Sequence, residues 1–444
     1  MQSIKTRLAA LGFLEFAVWG TYLVSIGLYL SSVGLADYIF WFYTVQGLVS
    51  LFMPGIVGMI ADRFIPAQKM FSLCHVLAGV FMLAAGFYGA HAGAEVHFAP
   101  LFTLYTLSVA FFMPTIGLNN SVAFNALNKA GLDTVKHFPP IRVFGTVGFI
   151  AAEWFVNFVK IDGVSLSNSY TQLIACGTVS LVLAAYALTM PACPINRNAK
   201  SSLSEALGLN AFKLFKRKDM AIFFIFSMLL GVALQVTNSY GTTFIEHFKN
   251  VEQYAGDFFA SNSVFLISLS QCSEAFCILL IPVCLRKFGI KGVMLMAMLA
   301  WTLRFGFFGL GNTSPSGVWL LMLSCVVYGV AFDFFNVSGG LYVDRQTTPE
   351  IRSSAQGLFM MMTNGIGASL GTWIAGTFVV NKKVFAPGLD AVQQLEGWRE
   401  SWYIFAAYAL IVAVLFFFIF HEKPGDIDGE DVKEAEADTT IEAE

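Results

Sequence analysis

Apolar runs of roughly 20 residues recur along almost the whole chain, and short polar or charged segments separate them. A run of this length crosses the ~30 Å hydrocarbon core of a bilayer as one α-helix, whereas a transmembrane β-barrel shows alternation over ~10-residue strands. We therefore predict an all-α integral membrane protein with twelve transmembrane helices. The predicted spans are residues 8–30, 38–61, 70–90, 98–119, 138–159, 170–190, 219–243, 261–285, 291–310, 318–341, 352–379 and 399–420.

The composition is also typical of an integral membrane protein. Of its 444 residues, 57% are hydrophobic and 12% are charged, and the mean hydropathy is +0.68. An ordinary soluble domain has roughly a quarter of its residues charged. The first apolar run is interrupted by Glu15 and has no small-residue cleavage pattern before Asp37, so we expect it to be a helix and not a signal peptide.

The basic residues predict the orientation of the chain. If the N-terminus is cytoplasmic, most of the 26 Lys and Arg residues fall on cytoplasmic segments. Short cytoplasmic loops carry an excess of Lys and Arg in membrane proteins. We therefore predict that both termini are cytoplasmic.

The longest hydrophilic internal segment divides the chain into two halves. It covers residues 191–218, between an N-terminal six-helix bundle (1–190) and a C-terminal six-helix bundle (219–420). Within this cytoplasmic linker, Leu203 to Phe215 forms either an amphipathic helix on the membrane surface or a loose basic segment. The acidic tail, residues 421–444, cannot bury apolar surface, and we expect it to be disordered and cytoplasmic.

A weak internal repeat supports the two-half organisation. Gly58, Asp62 and Arg63 lie at the hinge between spans two and three, and a charged hinge at 286–291 lies at the corresponding place in the second half. Matching hinges are expected where two transporter halves are related by an axis along the membrane normal. We therefore treat Gly58, Asp62 and Arg63 as candidate hinge or gating residues.

One carboxylate stands out in the predicted spans. Glu274 is the only formally charged residue between Asp257 and Arg286. A charge at mid-bilayer costs on the order of 3 kcal/mol or more, so an ionisable residue there indicates function. Gln271 lies three residues earlier on the same helix face, so both side chains can contact one ligand.

Three further spans carry polar and aromatic residues at helical spacing. They are Arg142, Thr146 and Phe149 in span five, Gln235 and Asn238 in span seven, and Tyr328, Phe332 and Asp333 in span ten. Amides, a hydroxyl, a carboxylate and flat rings suit a neutral polar ligand with a planar ring. For any single amide, a hydrogen bond to a neighbouring helix is an equally good interpretation.

The remaining ionisable residues within spans have simpler interpretations. Glu15 and Glu153 have no polar partner on their own helix face, which favours interfacial or pore-edge carboxylates. Arg304 is expected to be a structural counter-ion. Carboxylates in apolar surroundings exchange protons near neutral pH, so Glu274 and Asp333 are candidates for proton coupling, with Glu15 as a third.

Several functional classes are disfavoured. The chain has no GxxxxGK[ST] phosphate loop, so we do not expect an ATP-driven pump or an enzyme. Its seven cysteines show no metal-ligand spacing, and we interpret them as small hydrophobic residues. We expect no metal, no cofactor and no nucleic-acid partner.

Several segments of the chain resemble the bacterial nucleoside:proton symporters of the major facilitator superfamily. They are residues 138–149, 221–231, 235–238, 270–274, 328–336 and 354–364, and the likeness extends from about residue 8 to 420. The resemblance implies two six-helix bundles, alternating access and a monomer in the bacterial cytoplasmic (inner) membrane. It also implies proton-coupled import of purine and pyrimidine nucleosides such as uridine or adenosine.

The family's substrate site falls on the polar stripes of this sequence. Its positions here are Arg142, Thr146, Phe149, Gln235, Asn238, Gln271, Glu274, Tyr328 and Phe332, with Asp333 adjoining. Two residues depart from the family pattern: Glu15 stands where a neutral amide is expected, and Glu153 is unusual. Alternative functions are a carrier of a sugar or another polar metabolite on the same fold, and, from a different class, a channel or a non-transporting membrane sensor.

Overall fold

The computed structural model describes residues 2–195, 209–347 and 349–421, and these residues are mostly helical. Among the described residues, eight helices are long and apolar enough to cross a membrane, and one of them, Ser263–Leu310, contains two predicted spans. The other three spans are a broken helix, a helix of 17 residues (Thr171–Ala187) and a helix interrupted by wide turns. Together they make the twelve predicted spans.

The N-terminal half contains spans one to six. Span one is Gln2–Gly20 followed by Ile26–Ser32, span two is Ile39–Arg63, span three is Ala67–Ala92, span four is Phe98–Lys129, span five is Thr134–Phe158 and span six is Thr171–Ala187. Two short antiparallel strands, β1 (Lys160–Ile161) and β2 (Val164–Ser165), lie between spans five and six.

The C-terminal half contains spans seven to twelve. Span seven is Lys218–His247, and span eight is Phe258–Ser261 and Ser263–Cys277, followed by a 3₁₀ turn at Ile278–Leu280. Span nine lies within Ile281–Leu310, and span ten is Val318–Arg345. Span eleven is Pro349–Met360 and Ala368–Ile374 with π-helical turns at Met361–Gly367 and Ala375–Val380, then Asn381–Lys383, and span twelve is Ala391–Ile419.

Several helices extend beyond the predicted ends, because hydropathy marks only the part of a helix that lies in lipid. Span twelve begins at Ala391, not at residue 399. Its first turn is closed by the Asp390 side chain, which accepts from the Gln393 backbone N–H while the Gln393 side chain accepts from the Asp390 N–H. Such a capping box starts a helix in polar sequence.

The predicted charged hinge between spans eight and nine is a sharp break. Gly289 has a φ of +70° and a ψ of 176° inside an otherwise helical segment. A residue with a side chain rarely adopts this conformation, so glycine allows the chain to turn there. The hinge prediction for residues 286–291 is confirmed at this point.

Glycines show the same close crossing in both halves, which supports the predicted repeat. A Cβ on Gly20 of span one or Gly148 of span five would overlap a backbone carbonyl of the other span. The same is true of Gly231 of span seven and Gly367 of span eleven. Spans one and five therefore cross with their backbones in direct contact, and spans seven and eleven of the other half cross in the same way.

Two predicted segments lie partly outside the described residues. The linker is described up to 195 and again from Leu209, where Leu209–Lys216 is a short 3₁₀ helix whose Phe215 ring packs on Phe224 of span seven at 5.4 Å. Residues 203–208 of the predicted amphipathic helix, and the acidic tail from residue 422, are outside the described part of the chain.

Candidate functional site

The aromatic stripe of span ten is formed by two parallel rings. The ring centroids of Tyr328 and Phe332 are 5.7 Å apart and their planes differ by 5°. Tyr328 is buried, with the guanidinium carbon of Arg304 4.5 Å from its ring centroid, while Phe332 is only partly buried. Phe332 lines a small cavity, of about 20 Å³, between spans seven, nine, ten and eleven. The stripe therefore places one aromatic side chain at the wall of a cavity.

Asp333 follows this stripe and is buried without full hydrogen bonding. The side chain is 4% exposed, and its Oδ2 atom has no hydrogen-bond partner among the described residues. A buried polar atom without a partner costs about 1–3 kcal/mol. Asp333 is therefore a group that a proton or a ligand can satisfy.

Glu274 lies where charges from both halves meet. It is partly buried in span eight, and its charge interacts with that of Arg142 on span five, in the other half. The charge of Glu274 also acts on Asp333 and on Glu153. One cationic group and three carboxyl groups thus share a single electrostatic environment.

Gln271 lies one turn from Glu274, as the spacing predicts. With its amide nitrogen turned toward the preceding turn, it donates to the carbonyls of Ile267 and Ser268, at 3.1 and 3.2 Å. In this orientation the amide oxygen is left to accept from a ligand. Gln271 and Glu274 thereby offer acceptors on one face of span eight.

The stripe of span five is packed against span one. The Arg142 guanidinium carbon lies 4.1 Å from the centroid of the Phe16 ring, and Phe149 meets Trp19 edge-on at 6.1 Å. Thr146 lies between them on span five and is partly buried. A cation held on an aromatic face keeps a fixed position while it still attracts anions.

The two amides of span seven lie at different depths. Gln235 is buried at 7% exposure, and Asn238 is partly buried. Both lie on the part of span seven that precedes Thr242, whose hydroxyl donates to the Val24 carbonyl of span one. The stripes of spans five, seven, eight and ten therefore lie on helices that meet the opposite half or line the cavity, and their binding roles stay predictions.

Glu15 corrects an expectation from sequence. It was expected at an interface or pore edge without a partner, but its side chain is 1% exposed and both of its oxygens are hydrogen-bonded. Oε2 lies 2.7 Å from His75 Nε2 on span three, and Oε1 accepts from Thr115 Oγ1 on span four at 2.7 Å. The partners come from other helices, which the pattern along span one cannot reveal.

Glu153 and Arg304 also differ from expectation. Glu153 is fully buried, and neither of its oxygens has a hydrogen-bond partner among the described residues, so it is not interfacial. The Arg304 guanidinium donates to neutral groups, the Ser324 carbonyl at 2.8 Å and the Ser270 hydroxyl at 3.2 Å. It acts as a hydrogen-bond donor between spans eight, nine and ten rather than as the counter-ion of a carboxylate.

The predicted gating segment ends span two. Span two runs to Arg63, and a Cβ on Gly58 would have open space around it. The side chain of Asp62 is not among those the structure describes. A gating role for Gly58, Asp62 and Arg63 therefore stays a prediction.

Hydrogen bonds join the two halves at one end of the bundle, which we call the closed end. It contains the connections between spans one and two, five and six, seven and eight, and eleven and twelve. The bonds run from Trp154 Nε1 to Ser268 Oγ (2.8 Å), from Asn157 Nδ2 to Asn262 Oδ1 (2.9 Å), from Asn381 Nδ2 to the Asp37 carbonyl (2.8 Å), and from the Asn168 amide to Glu246.

The closed end lies directly beside the polar stripes. Ser268 precedes Gln271 by one turn, and Trp154 follows Phe149 by five residues, which is about 7.5 Å along a helix. Sequence reasoning missed Trp154, Asn157 and Ser268, since an indole or a small polar residue near a helix end is ordinary at a membrane interface.

Comparisons with known proteins agree with this architecture. A model of the family described as nucleoside H+ symporter matches residues 1–425. The xanthosine permease of Escherichia coli (strain K12) is 44% identical over 428 residues, which cover 94% of this chain and 96% of that protein. Nucleoside permease NupG of the same strain is 38% identical over 431 residues, covering 95% and 97%.

Solved structures show the same fold. The crystal structure of nucleoside transporter NupG has a TM-score of 0.83 at 39% identity, covering 95% of this chain and 100% of that one. A bacterial homologue of the lysosomal transporter Spinster, at 15% identity and a TM-score of 0.67, shares the fold alone. The twelve-helix major facilitator architecture is confirmed, and this chain belongs to the nucleoside H+ symporter family.

Proposed function

We propose that this chain, a proton-coupled nucleoside transporter by family, binds its substrate between the two halves, beside the closed end. The observation that carries the proposal is the interaction between Arg142 of span five and Glu274 of span eight, which links the two halves electrostatically. A ligand that bridges or replaces this pair interacts with both halves at once. Such a ligand can shift the balance between two arrangements of the halves.

The chemistry of the stripes suits the parts of a nucleoside. The ring of Phe332 stacks on the base, and the amides of Gln235 and Asn238 bond to base edges through donors and acceptors. Gln271 and Glu274 accept from the ribose hydroxyls, and a bond to a charged carboxylate is among the stronger ones. Arg142, Thr146, Phe149 and Tyr328 complete the site.

Glu274 and Asp333 are the proposed proton carriers. Their charges repel each other, and Asp333 has an oxygen without a hydrogen-bond partner among the described residues. Two neighbouring carboxylates share one proton readily, because the proton removes their repulsion. Binding of the proton and of ribose at the same pair would couple the two fluxes.

The closed end would be the extracellular gate in a bacterial inner-membrane protein with cytoplasmic termini. The excess of Lys and Arg on segments at the other end supports this orientation. The structure would then represent a state closed to the outside, and breaking the bonds of the closed end would begin the outward-open state. We expect a monomer, because the substrate site lies within one chain.

Uptake into proteoliposomes tests the function. Radiolabelled uridine, adenosine and xanthosine should accumulate when an inward proton gradient is imposed, and unlabelled nucleosides should compete while free sugars do not. Xanthosine is included because of the likeness to a xanthosine permease. Uptake that does not depend on the proton gradient would refute proton coupling. Competition by sugars alone would favour the alternative function, a carrier of a sugar or another polar metabolite.

A further inference from the structure

A buried hydrogen-bond network in the N-terminal half lies outside the proposed substrate stripes. It contains Glu15 of span one, His75 of span three, Thr115 of span four and Ser180 of span six. Glu15 is 1% exposed and His75 is 0% exposed. A histidine and a carboxylate lie 2.7 Å apart in these surroundings, where well-packed apolar residues of similar volume often stabilise a core as well.

The hydrogen bonds around His75 are complete in two proton states. The Ser180 hydroxyl lies 2.9 Å from the His75 carbonyl oxygen, to which it can donate, and 3.0 Å from His75 Nδ1. When Ser180 donates to the carbonyl, its oxygen accepts from Nδ1–H while Nε2–H donates to Glu15, so the ring is an imidazolium. When the hydroxyl rotates and donates to Nδ1, the ring is neutral and Nε2–H still donates to Glu15. One rotation of a hydroxyl thus accommodates the gain or loss of one proton.

The network is in electrostatic contact with the substrate stripes. Among the described residues, Glu15 interacts electrostatically with Tyr22 on the same span, Cys74 on span three and Arg142 on span five. Spans four and six contribute the neutral hydroxyls Thr115 and Ser180. Of these groups, Arg142 is the cation that also interacts with Glu274.

The rings around His75 separate it from the stripes while keeping it close. Phe71 lies 4.5 Å and Phe112 6.0 Å from the imidazole centroid, and Phe112 contacts Trp19 at 6.2 Å, which contacts Phe149. Because these rings exclude water, the electrostatic effect of a charge at His75 on Arg142 is only weakly screened.

We propose that Glu15 and His75 form a second proton-binding site of this transporter, with the mobile proton on His75 Nδ1. The site has a net charge of −1 when the imidazole is neutral and 0 when it is an imidazolium. In the neutral-ring state Glu15 competes with Glu274 for Arg142, and in the imidazolium state Arg142 is released toward Glu274. The proposal rests on the proposed function, to which it adds one proton per nucleoside.

The proton-to-nucleoside ratio tests this site in proteoliposomes of stated internal and external pH. With the membrane potential held at zero, each coupled proton raises the limiting accumulation ratio about tenfold per unit of pH gradient. His75→Gln keeps a donor toward Glu15 but cannot titrate, so accumulation at a gradient of one unit should fall about tenfold. The matched control is His91→Gln, at an exposed position of the same span, which should accumulate as the wild type does.

Nucleoside exchange at equal pH on both sides separates this proposal from the function itself. Exchange needs no net proton movement, so His75→Gln should retain it while its driven accumulation falls. An unchanged accumulation ratio in His75→Gln would overturn the second site, whereas absence of both exchange and accumulation in the wild type would overturn the proposed function.

A variant that keeps the imidazole covers the case in which His75→Gln does not fold. Ser180→Ala removes the acceptor of Nδ1–H and so destabilises the imidazolium relative to the neutral ring. The pH profile of driven uptake should therefore move by about one unit or more toward lower pH. In the wild type, ¹⁵N NMR of labelled histidine should show His75 changing protonation across the range in which uptake depends on pH. A ring that keeps one protonation state throughout would refute the site.

Discussion

The two halves treat their buried carboxylates differently. In the N-terminal half, both oxygens of Glu15 are hydrogen-bonded to His75 and Thr115. In the C-terminal half, Asp333 has an oxygen without a partner among the described residues, and the charge of Glu274 interacts with that of Arg142. A satisfied network holds helices together in a fixed arrangement, whereas an unsatisfied group gains free energy when a ligand or proton arrives. The unsatisfied carboxylate of the C-terminal half is therefore suited to binding a ligand, whereas the carboxylate of the N-terminal half has its hydrogen-bond partners within the protein.

Glu15→Ala should cause the largest loss of stability. Removing the carboxylate leaves the buried imidazole and the Thr115 hydroxyl without their hydrogen-bond partner, at a cost of about 1–3 kcal/mol for each group. The free energy of unfolding, followed by thermal melting in detergent, should fall accordingly. Glu396→Gln, an exposed position of span twelve, is the control and should melt as the wild type does. If Glu15→Ala melts as the wild type does, the hydrogen bonds of Glu15 do not stabilise the N-terminal half, and the proposed difference between the halves is wrong.

Glu274→Gln should have the largest effect on transport. The amide cannot carry a proton or attract Arg142, so gradient-driven uptake should fall on the order of 100-fold, equivalent to nearly 3 kcal/mol. Membrane insertion, followed by gel-filtration profile and expression level, should be unchanged. Near-normal concentrative uptake by this variant would show that Glu274 does not couple the fluxes.

Asp333→Asn should separate stability from function. An unsatisfied buried oxygen costs about 1–3 kcal/mol, and a neutral amide lowers its repulsion with Glu274, so the melting temperature should stay the same or rise. Driven uptake should fall at the same time. The opposite result, a lower melting temperature with normal uptake, would make Asp333 a structural residue like Glu15.

Phe332→Ala should weaken nucleoside binding by removing a stacking face. Stacking of a base on an aromatic side chain contributes about 1–3 kcal/mol, so the Kd from calorimetry should rise tenfold or more. Phe332→Leu restores most of the apolar volume without an aromatic face, and this variant should also bind nucleosides weakly. If leucine restores the affinity, Phe332 only fills space.

Ser268→Ala should have the smallest effect, at the closed end. The Trp154 indole N–H loses its acceptor across the halves, and a neutral hydrogen bond contributes about 0.5–1.5 kcal/mol. The population closed at this end should decrease two- to tenfold relative to the open one, measured by spin-label distances between the halves after the seven cysteines are replaced. Ser72→Ala, which removes a bond to Ala184 within one half, should leave these distances unchanged. Equal shifts in both variants would mean that the closed end has no gating role.

The aromatic stripe shows how far the sequence alone could lead. Four-residue spacing puts Tyr328 and Phe332 on one face, and the structure stacks them. By contrast, the partners of Glu15 lie 60 and 100 positions away along the chain, and Trp154 is 114 positions from Ser268. Spacing within a helix cannot indicate contacts of this kind, because they depend on which helices are neighbours and how each is rotated.

The sequence by itself determined the twelve helices and the polar stripes on them. In a bilayer each backbone N–H and C=O must be satisfied within its own segment, so apolar length alone identifies a helix. Only the tertiary structure decided which carboxylates are satisfied and which are left for a ligand. That outcome depends on hydrogen bonds and charges contributed by helices distant in sequence, such as His75 to Glu15 and Arg142 to Glu274.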